Sequence, residues 1–320
     1  MDGVTRASGG PRRPRPEPTS GAGRPGGAAR PARSRGRGRA RAHGRSLAGW
    51  AALAPAGLWL GAFFVVPVAL VAQYSFATRD LGIARVVLPW TLDAYRLAVD
   101  PAVLPIFWRT AAYSLSATLA CLVIGLPLAW FVARHAGRWR LVLLGAVLVP
   151  FWASHLARIY AWKALLAEDG PVNRVLGLVG LDRPGGLLLT DVAVVVGLTY
   201  GYLPFMVLPL YVVCRRFDPR LLEASQDLGH GRLGTFVRVV LPGLAPGVVA
   251  GSLLVLVPSV GDFVTPALLG GVNQLTFGSV IDDQFRGGNN WPLGSALAVL
   301  LLAAVAVLWV ARGRRAREVL

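Results

Sequence analysis

The sequence predicts an all-α, polytopic membrane protein with six transmembrane helices. Of its 320 residues, 54% are hydrophobic and only 15% are charged, whereas charged residues make up about a quarter of a typical soluble domain. A helix needs about 20 mostly apolar residues to cross the hydrocarbon core of a bilayer. Six windows contain no charged residue, and five of them exceed that length: 46–78, 110–133, 141–157, 192–214, 239–261 and 287–311.

The third window, 141–157, is the shortest. It predicts a span when the basic residues that follow it are taken into account. Arg158 and Lys163 follow it, and long cationic side chains extend to the interface from a helix end. Buried helices of a large globular core are the alternative to membrane spans. Six such windows in one chain favour the membrane.

Residues 1–46 are predicted to form a disordered, basic tail in front of a membrane domain at 47–320. Twelve of the 33 basic residues lie in the first 45 positions, which are rich in Arg, Pro and Gly and cannot build a hydrophobic core. A nucleic-acid-binding arm is the alternative, but no nucleic acid is expected as a partner, because the tail has no aromatic residue to stack on bases. The tail is expected to be solvated and drawn to the anionic headgroups of membrane lipid. A cleaved signal peptide is not expected, because a long uncleaved apolar window comes after the tail.

The distribution of basic residues predicts that both chain termini are cytoplasmic. The tail holds twelve, residues 134–140 three, residues 214–241 five and the C-terminal residues 312–320 four, whereas the opposite connections together hold seven. Basic residues concentrate in cytoplasmic loops of membrane proteins. The polar segment between the fourth and fifth windows is therefore expected to face the cytoplasm.

Neither disulfide, metal nor catalytic chemistry is indicated by the remaining residues. Cys121 falls halfway along the second window and Cys214 ends the fourth, a difference of about 16 Å in helix depth, so both are expected to be free thiols. The four histidines have no metal-ligand spacing, and there is no Gly-x-Ser-x-Gly nucleophile elbow. No catalytic or metal-binding residue is predicted, and the chain is not expected to be an enzyme.

The segment at 218–242, called the 218–242 loop below, predicts a helix, a turn and a second helix. Asp218 stands where an N-cap is preferred, and residues 220–228 place leucine and alanine on one face of a helix. Gly229 and Gly231 permit a left-handed exit from that helix.

The second helix of this loop is predicted at 233–240, and Pro242 is expected to stop that helix or to kink its continuation. The pair is too short to fold alone, so its apolar side chains need a partner surface. An ordinary connector packed on its own helices is the alternative to a docking element.

The 218–242 loop resembles the EAA loop of ABC importer permeases. The match consists of Glu223, Ala224 and Ser225, then Gly229, and finally Val239, Leu241 and Pro242. Ser225 replaces the second Ala of that motif and Val239 its Ile. The resemblance implies that this loop docks on a separate ATP-hydrolysing subunit through Glu223, Ala224, Ser225, Gly229, Leu241 and Pro242.

Four further stretches resemble the spermidine/putrescine type of these permeases: 158–166, 201–211, 261–271 and 282–298. The resemblance covers about residues 50–311. It implies the type I ABC importer permease fold, with a core at about 109–311, in a plasma or inner membrane. It also implies as partners ABC ATPase subunits, a second homologous permease and an extracytoplasmic substrate-binding protein, with ATP bound only by the ATPases.

The sequence itself supports the assignment of ATP binding to a separate subunit. Lys163 is the single lysine, and a phosphate-binding P-loop requires Gly-x-x-x-x-Gly-Lys-Ser/Thr, so ATP hydrolysis by that route is excluded here. A channel or an ion-driven secondary transporter remains the alternative class, although neither has a use for such a loop.

Asp262 is the strongest candidate for the substrate pathway, because ionisable residues inside a span are functional candidates. Asp262 directly follows the fifth window, which contains Pro258. The alternative to a pathway role is that Asp262 is a helix-terminal acid. Four aromatic side chains are expected to supply cation–π walls for a polyamine, with the interfacial aromatic belt as the alternative: Tyr160, Trp162, Tyr202 and Phe263.

Other residues leave more than one substrate class compatible with the sequence. Arg158 and Lys163 would repel a polycation unless they point outward or pair with Glu168 and Asp169. Related permeases carry ferric iron, sulfate or amino-acid derivatives, and these remain alternatives. In the last outer loop, Asp282, Asp283 and Arg286 are candidates for contact with the binding protein, or are simply solvated.

Overall fold

The computed structural model describes residues 54–80, 85–87, 90–180 and 185–318. The chain divides into two units, Met1–Leu60 and Gly61–Leu320. In the first unit the described residues 54–60 are helical. The predicted tail at 1–46 lies outside the described residues.

The second unit is built almost entirely from helices, as predicted, with a π-helical turn at Gly61–Val65 before the first of them. The helices are α1 Val66–Tyr74, α2 Asp93–Ala98, α3 Leu104–Arg134, α4 Arg140–Leu148, α5 His155–Leu166, α6 Pro171–Leu178, α7 Asp191–Arg216, α8 Arg220–Asp227, α9 Arg232–Thr235, α10 Leu241–Gly261, α11 Val264–Leu269, α12 Phe277–Arg286 and α13 Trp291–Glu318. One antiparallel hairpin was not predicted, β1 Thr78–Asp80 with β2 Arg85–Val87.

Four helical stretches are long and apolar enough to cross a membrane: Ala54–Tyr74, Leu104–Arg134, Asp191–Arg216 and Arg232–Gly261. They correspond to the first, second, fourth and fifth predicted spans. The sixth predicted span is α13, whose apolar part Trp291–Val307 is shorter. Among the described residues, length and composition thus support four spans, or five when a bent pair counts as one.

The third predicted span, 141–157, is not one continuous helix. Two helical pieces, Gly137–Trp152 and His155–Leu178, meet there at 94°. Pro150 lies in a 3₁₀ turn, Val149–Trp152, that ends the first piece, and proline lacks the N–H that a continuing helix needs. Ala153 then adopts extended backbone angles, which turn the chain.

The core is formed where α3, α7 and α10 pack together. Its fully buried side chains include Cys121 of α3, Met206 and Leu210 of α7, and Leu244 and Val255 of α10. Both cysteines are free thiols, as predicted. The N-terminal ends of α3 and α7 lie together, since the Tyr113 hydroxyl donates to Asp191 at 2.6 Å, so the two helices run in parallel.

Glycines allow these three helices to approach closely. A Cβ on Gly251 of α10 would lie 2.7 Å from the Met206 sulfur and 3.2 Å from the Met206 carbonyl oxygen. A Cβ on Gly125 of α3 would lie 3.1 Å from Met206 Cγ. Small residues at such contacts let membrane helices gain van der Waals packing, which replaces the hydrophobic driving force that lipid does not supply.

We predict that Gly251→Ala and Gly145→Ala change stability in opposite directions. Alanine favours a helix over glycine by about 1 kcal/mol, and a Cβ at Gly145 meets no atom within 4 Å, so Gly145→Ala should be neutral or stabilising. At Gly251 the crowding of Met206 should outweigh that gain and cost about 1–3 kcal/mol. Thermal unfolding of the purified protein in detergent measures both, and equal melting temperatures would refute the close contact.

Candidate functional site

The first helix of the 218–242 loop forms where the sequence predicts it. α8 begins at Arg220 with Pro219 in the N-cap position, one residue later than predicted. The Asp218 carboxylate still accepts from the Arg220 N–H, at 3.0 Å. Gly229 has φ +83° and makes the left-handed exit.

The second half of this loop differs from the prediction in two respects. Gly231 is extended rather than left-handed, with φ −66° and ψ 167°, and caps α9. The helix predicted at 233–240 is not separate, because Arg232–Gly261 is one helical stretch. Its π-helical turn Phe236–Val240 precedes Pro242. We attribute the continuity to this wider turn, which relieves the crowding of a proline ring against the preceding turn.

A polar network fastens the inside of the 218–242 loop. The buried hydroxyls of Ser225 and Thr235 share a hydrogen bond of 3.1 Å. Arg238 donates to His230 Nε2 at 2.7 Å, so the proton of a neutral His230 sits on Nδ1, which lies 3.4 Å from Ser225 Oγ. Ser225 is therefore a buried brace between the two halves of the loop.

The outer surface of the 218–242 loop is exposed and mixed in character. Glu223 and Ala224 of the EAA-like motif are exposed, as is Pro242, and Leu241 is 38% exposed. Two leucines protrude further, Leu228 at 79% and Leu233 at 78% exposure. A carboxylate among protruding leucines can bind a protein surface that combines an apolar groove with a basic group.

A second candidate site surrounds Asp262, which joins α10 to α11. Asp262 Oδ1 accepts hydrogen bonds from the backbone N–H groups of Val264 and Thr265, at 3.0 and 3.1 Å. Oδ2 accepts from the Thr265 hydroxyl at 2.7 Å and from the Tyr202 hydroxyl at 3.2 Å. This buried carboxylate is thus a helix-terminal acid that caps α11.

Asp262 also lines a cavity of about 360 Å³, together with Tyr202 and Phe263. The structure therefore brings three of the five predicted pathway residues together. Tyr160 is 56% exposed and lies outside this cavity. Trp162 packs against Tyr200, with ring centroids 5.3 Å apart, and is not among the lining residues either.

Four further lining residues were missed as pathway candidates. Phe151 and Phe205 form an edge-to-face pair at 5.1 Å. His155 Nε2 lies 3.9 Å from Asp262 Oδ2. The Arg158 guanidinium lies 4.5 Å from the Phe151 ring centroid. Their chemistry was visible in sequence, but the bend at Ala153, which lies between Phe151 and the pair His155 and Arg158, was not.

Of the alternatives for the two basic residues, the ion pairs with acids of the same connection do not form in the described part of the chain. Among the described residues, neither Arg158 nor Lys163 pairs with Glu168 or Asp169. Arg158 instead lines the cavity, and its buried Nε has no hydrogen-bond partner there. The cavity thus combines aromatic faces, a hydrogen-bonded carboxylate and two basic side chains.

A larger cavity, of about 1040 Å³, lies beside α12 and shares Phe263 with the first. Asp282, Asp283 and Arg286 line it. They belong to helix α12, which corrects their placement in a loop, and Arg286 pairs with Asp282 at 2.7 Å. In the described part of the chain, no three His, Cys, Asp or Glu side chains are grouped to hold a metal ion.

The 218–242 loop and the larger cavity lie at opposite ends of α7, whereas the Asp262 cavity lies near the middle of this helix, at Tyr202 and Phe205. Gln274, which lines the larger cavity, donates to Asp191 at the start of α7 at 3.0 Å, whereas the 218–242 loop comes after Arg216 at its end. The 26 residues of α7 span about 39 Å.

Long apolar helices, a protruding loop and cavities that contain charged side chains are features of a membrane transport protein. The sequence matches the family "Binding-protein-dependent transport system inner membrane component" over residues 58–314. The chain belongs to this family of transport subunits, and therefore to a multi-pass inner membrane family rather than to the enzymes.

Two relatives are similar over most of their length. The spermidine/putrescine transport system permease protein PotB of Escherichia coli (strain K12) is 39% identical over 260 residues, which cover 81% of this chain and 94% of that protein. PotB of Haemophilus influenzae is 41% identical over 251 residues, covering 78% and 87%.

Solved structures support the type I ABC importer permease fold. A chain of a bacterial alginate ABC transporter, in complex with a periplasmic protein, matches with a TM-score of 0.66 at 17% identity and covers 87% of this chain and 97% of that one. A chain of a methionine ABC transporter in an inward-facing conformation matches with a TM-score of 0.50 at 21% identity, covering 68% and 95%.

We predict that Tyr202→Phe destabilises the protein, whereas Tyr160→Phe does not. Both variants remove one hydroxyl, but only Tyr202 donates to the buried Asp262 carboxylate. Loss of that bond should lower the free energy of unfolding by about 1 kcal/mol. Thermal unfolding in detergent measures the difference, and two equal shifts would show that the Tyr202 bond does not contribute.

Proposed function

We propose that this chain is the permease subunit of an ATP-driven importer and that it moves a polyamine, of the spermidine or putrescine kind, into the cell. Two ATPase subunits would drive it through the 218–242 loop, and an extracytoplasmic binding protein would deliver the substrate. A second, related permease would complete the pore.

The observation that carries this proposal is the exposed Glu223 on a short capped helix between two spans. Ser225 and Thr235 brace that helix from inside, which joins it to Arg232–Gly261, the helical stretch that contains α10. An ion-driven carrier or a channel has no use for a braced docking surface of this kind.

The distribution of charge supports a cytoplasmic position for this loop and for both termini. Arg134 ends α3 and donates to the Phe217 carbonyl oxygen at the end of α7, so the basic connection at 134–140 lies at the same end as the 218–242 loop. Basic loops favour the cytoplasmic side. The large cavity with Asp282 and Asp283 would then face outward, towards the binding protein.

The chemistry of the two cavities suits a polyamine that would enter the outer cavity first and the inner cavity second. In the outer cavity Asp283 is exposed and has no ion-pair partner among the described residues, so it can attract an ammonium group. Phe263 separates this cavity from the inner one, where Tyr202, Phe205 and Phe263 offer aromatic faces for cation–π contact. His155 and Arg158 would keep a polycation from resting there.

Transport would then proceed by alternating access. ATP-driven closure of the ATPase subunits would move the 218–242 loop, and the three-helix core of α3, α7 and α10 would rock between outward-open and inward-open states. Substrate would pass Phe263 as the helices on either side of Asp262 separate. The Tyr202–Asp262 bond links α7 to the α10–α11 junction and would have to adjust in that step.

We predict that Glu223→Arg abolishes uptake and leaves membrane insertion intact, because a reversed charge opposes docking without disturbing a buried contact. Uptake should fall by at least about a hundredfold, as for loss of a buried charged contact at an interface. Glu168→Arg is the matched control, since Glu168 is also exposed but lies outside the loop. Normal transport by Glu223→Arg would reject the docking role.

We also predict the substrate class from a competition assay. Vesicles that contain the complete transporter should take up labelled spermidine only with ATP and the binding protein. Unlabelled spermidine or putrescine should compete, because they share the ammonium groups that the cavities attract, whereas sulfate should not. Competition by sulfate alone would indicate an anion importer, and uptake that persists without the ATPase would indicate a secondary transporter.

A further inference from the structure

One guanidinium group joins the ends of two spans at the base of the 218–242 loop. Arg134, the last residue of α3, donates through Nη2 to the carbonyl oxygen of Phe217. Its Cζ lies 5.3 Å from the Trp130 ring centroid and 5.8 Å from that of Phe217. The two rings themselves meet edge to face at 5.9 Å, so the cation sits against a paired aromatic surface.

Phe217 extends the same cluster to the third helix of the core. Its side chain is buried, and a Cβ on Gly243 would lie 2.5 Å from Phe217 Cε2. The Phe217 ring therefore rests against the first turn of α10, where only a glycine leaves room. We call Trp130, Arg134, Phe217 and Gly243 the base clamp.

The Arg134 guanidinium has no acid beside it among the described residues, and its buried Nε has no hydrogen-bond partner there. No described carboxylate forms an ion pair with it. It lies instead at the C-terminal ends of α3 and α7, where partial negative charge collects on carbonyl groups that have no partner in the helix. The positive charge of Arg134 thus interacts favourably with the C-terminal ends of both helices, and the aromatic rings add cation–π attraction.

The first loop helix is braced within the loop by Ser225, but it is packed less tightly against α3. A cavity of about 480 Å³ lies between α3 and the loop, lined by Trp130 and Pro127 on one side and by Leu222, Gln226 and Phe236 on the other. The loop is therefore fixed at Phe217, beside the start of α8, and has free space further along. A lever needs this combination of a fixed base and a movable arm.

We propose that Arg134 is a positioning residue that makes α3, α7 and α10 move together when the 218–242 loop is displaced. This proposal rests on the proposed function. Without the base clamp, the loop still docks and ATP is still hydrolysed. Displacement of the loop then changes the structure only at its base and does not move α3, α7 and α10 together. The defining consequence is hydrolysis without transport.

The test compares three variants in vesicles that contain the complete transporter, with uptake and ATP hydrolysis measured on the same preparation. Arg134→Ala should reduce uptake per ATP by about tenfold, which corresponds to one charged hydrogen bond, and leave hydrolysis within about twofold. Arg134→Lys keeps a donor and a charge but loses the planar stacking, so it should fall between. Arg138→Ala is the matched control, because Arg138 is exposed, lies 5.8 Å from the neighbouring Trp139 ring and does not belong to the base clamp.

The possible outcomes separate the two proposals. Unchanged uptake per ATP in Arg134→Ala, or an equal fall in Arg138→Ala, would overturn the clamp while the wild type still transports. A parallel fall of uptake, hydrolysis and assembly would show a merely structural role and overturn it too. A wild type without ATP-dependent uptake would overturn the proposed function and the clamp with it.

A distance measurement tests the clamp independently of transport. Spin labels at His135 and Leu228, both exposed, report the position of the loop relative to α3. The distance distribution should broaden in Arg134→Ala and stay narrow in Arg138→Ala. An unchanged distribution in Arg134→Ala would overturn the clamp.

Discussion

The rest of this structure depends on the need to pair backbone polar groups where no water is available. In a bilayer, an N–H or C=O group left without a partner costs several kcal/mol, so a spanning chain can leave a helix only where something else supplies the partner. At the α10–α11 junction that partner is the Asp262 carboxylate, which accepts from two N–H groups of the next helix. At the end of α7 it is Arg134, which donates to the Phe217 carbonyl. The start of a helix attracts a carboxylate and its end attracts a cation, so the positions that allow movement also need a charged side chain.

Proline has different effects in this chain according to the turn around it. Pro150 lies in a 3₁₀ turn, after which the chain bends by 94°. Pro242 comes after a π-helical turn, and the helix continues from Arg232 to Gly261. The bend brings His155 and Arg158 to the Asp262 cavity, whereas the continuous helix joins the 218–242 loop directly to the core. The second half of the loop and α10 therefore form one helical stretch.

The sequence by itself determined the elements whose causes are local. Uninterrupted apolar length predicted four of the spans, and Asp218 with Gly229 predicted both ends of α8, because caps and left-handed turns depend on neighbouring residues. The same local pattern predicted that Glu223 belongs to an exposed, motif-bearing helix. The resemblance of this loop to the EAA motif indicated the family that the comparisons then showed.

Only the tertiary structure decided which residues meet. The sequence offered four aromatic candidates beside Asp262, yet Tyr202 and Phe263 line its cavity and Tyr160 and Trp162 do not. A helix that is apolar all round has no periodicity to mark its inward face, so its rotation is set by packing, here by glycines such as Gly251 against Met206. The bend at Ala153 and the continuity through Pro242 likewise depend on how neighbouring turns share space, and that information lies in the packed bundle rather than in any single segment.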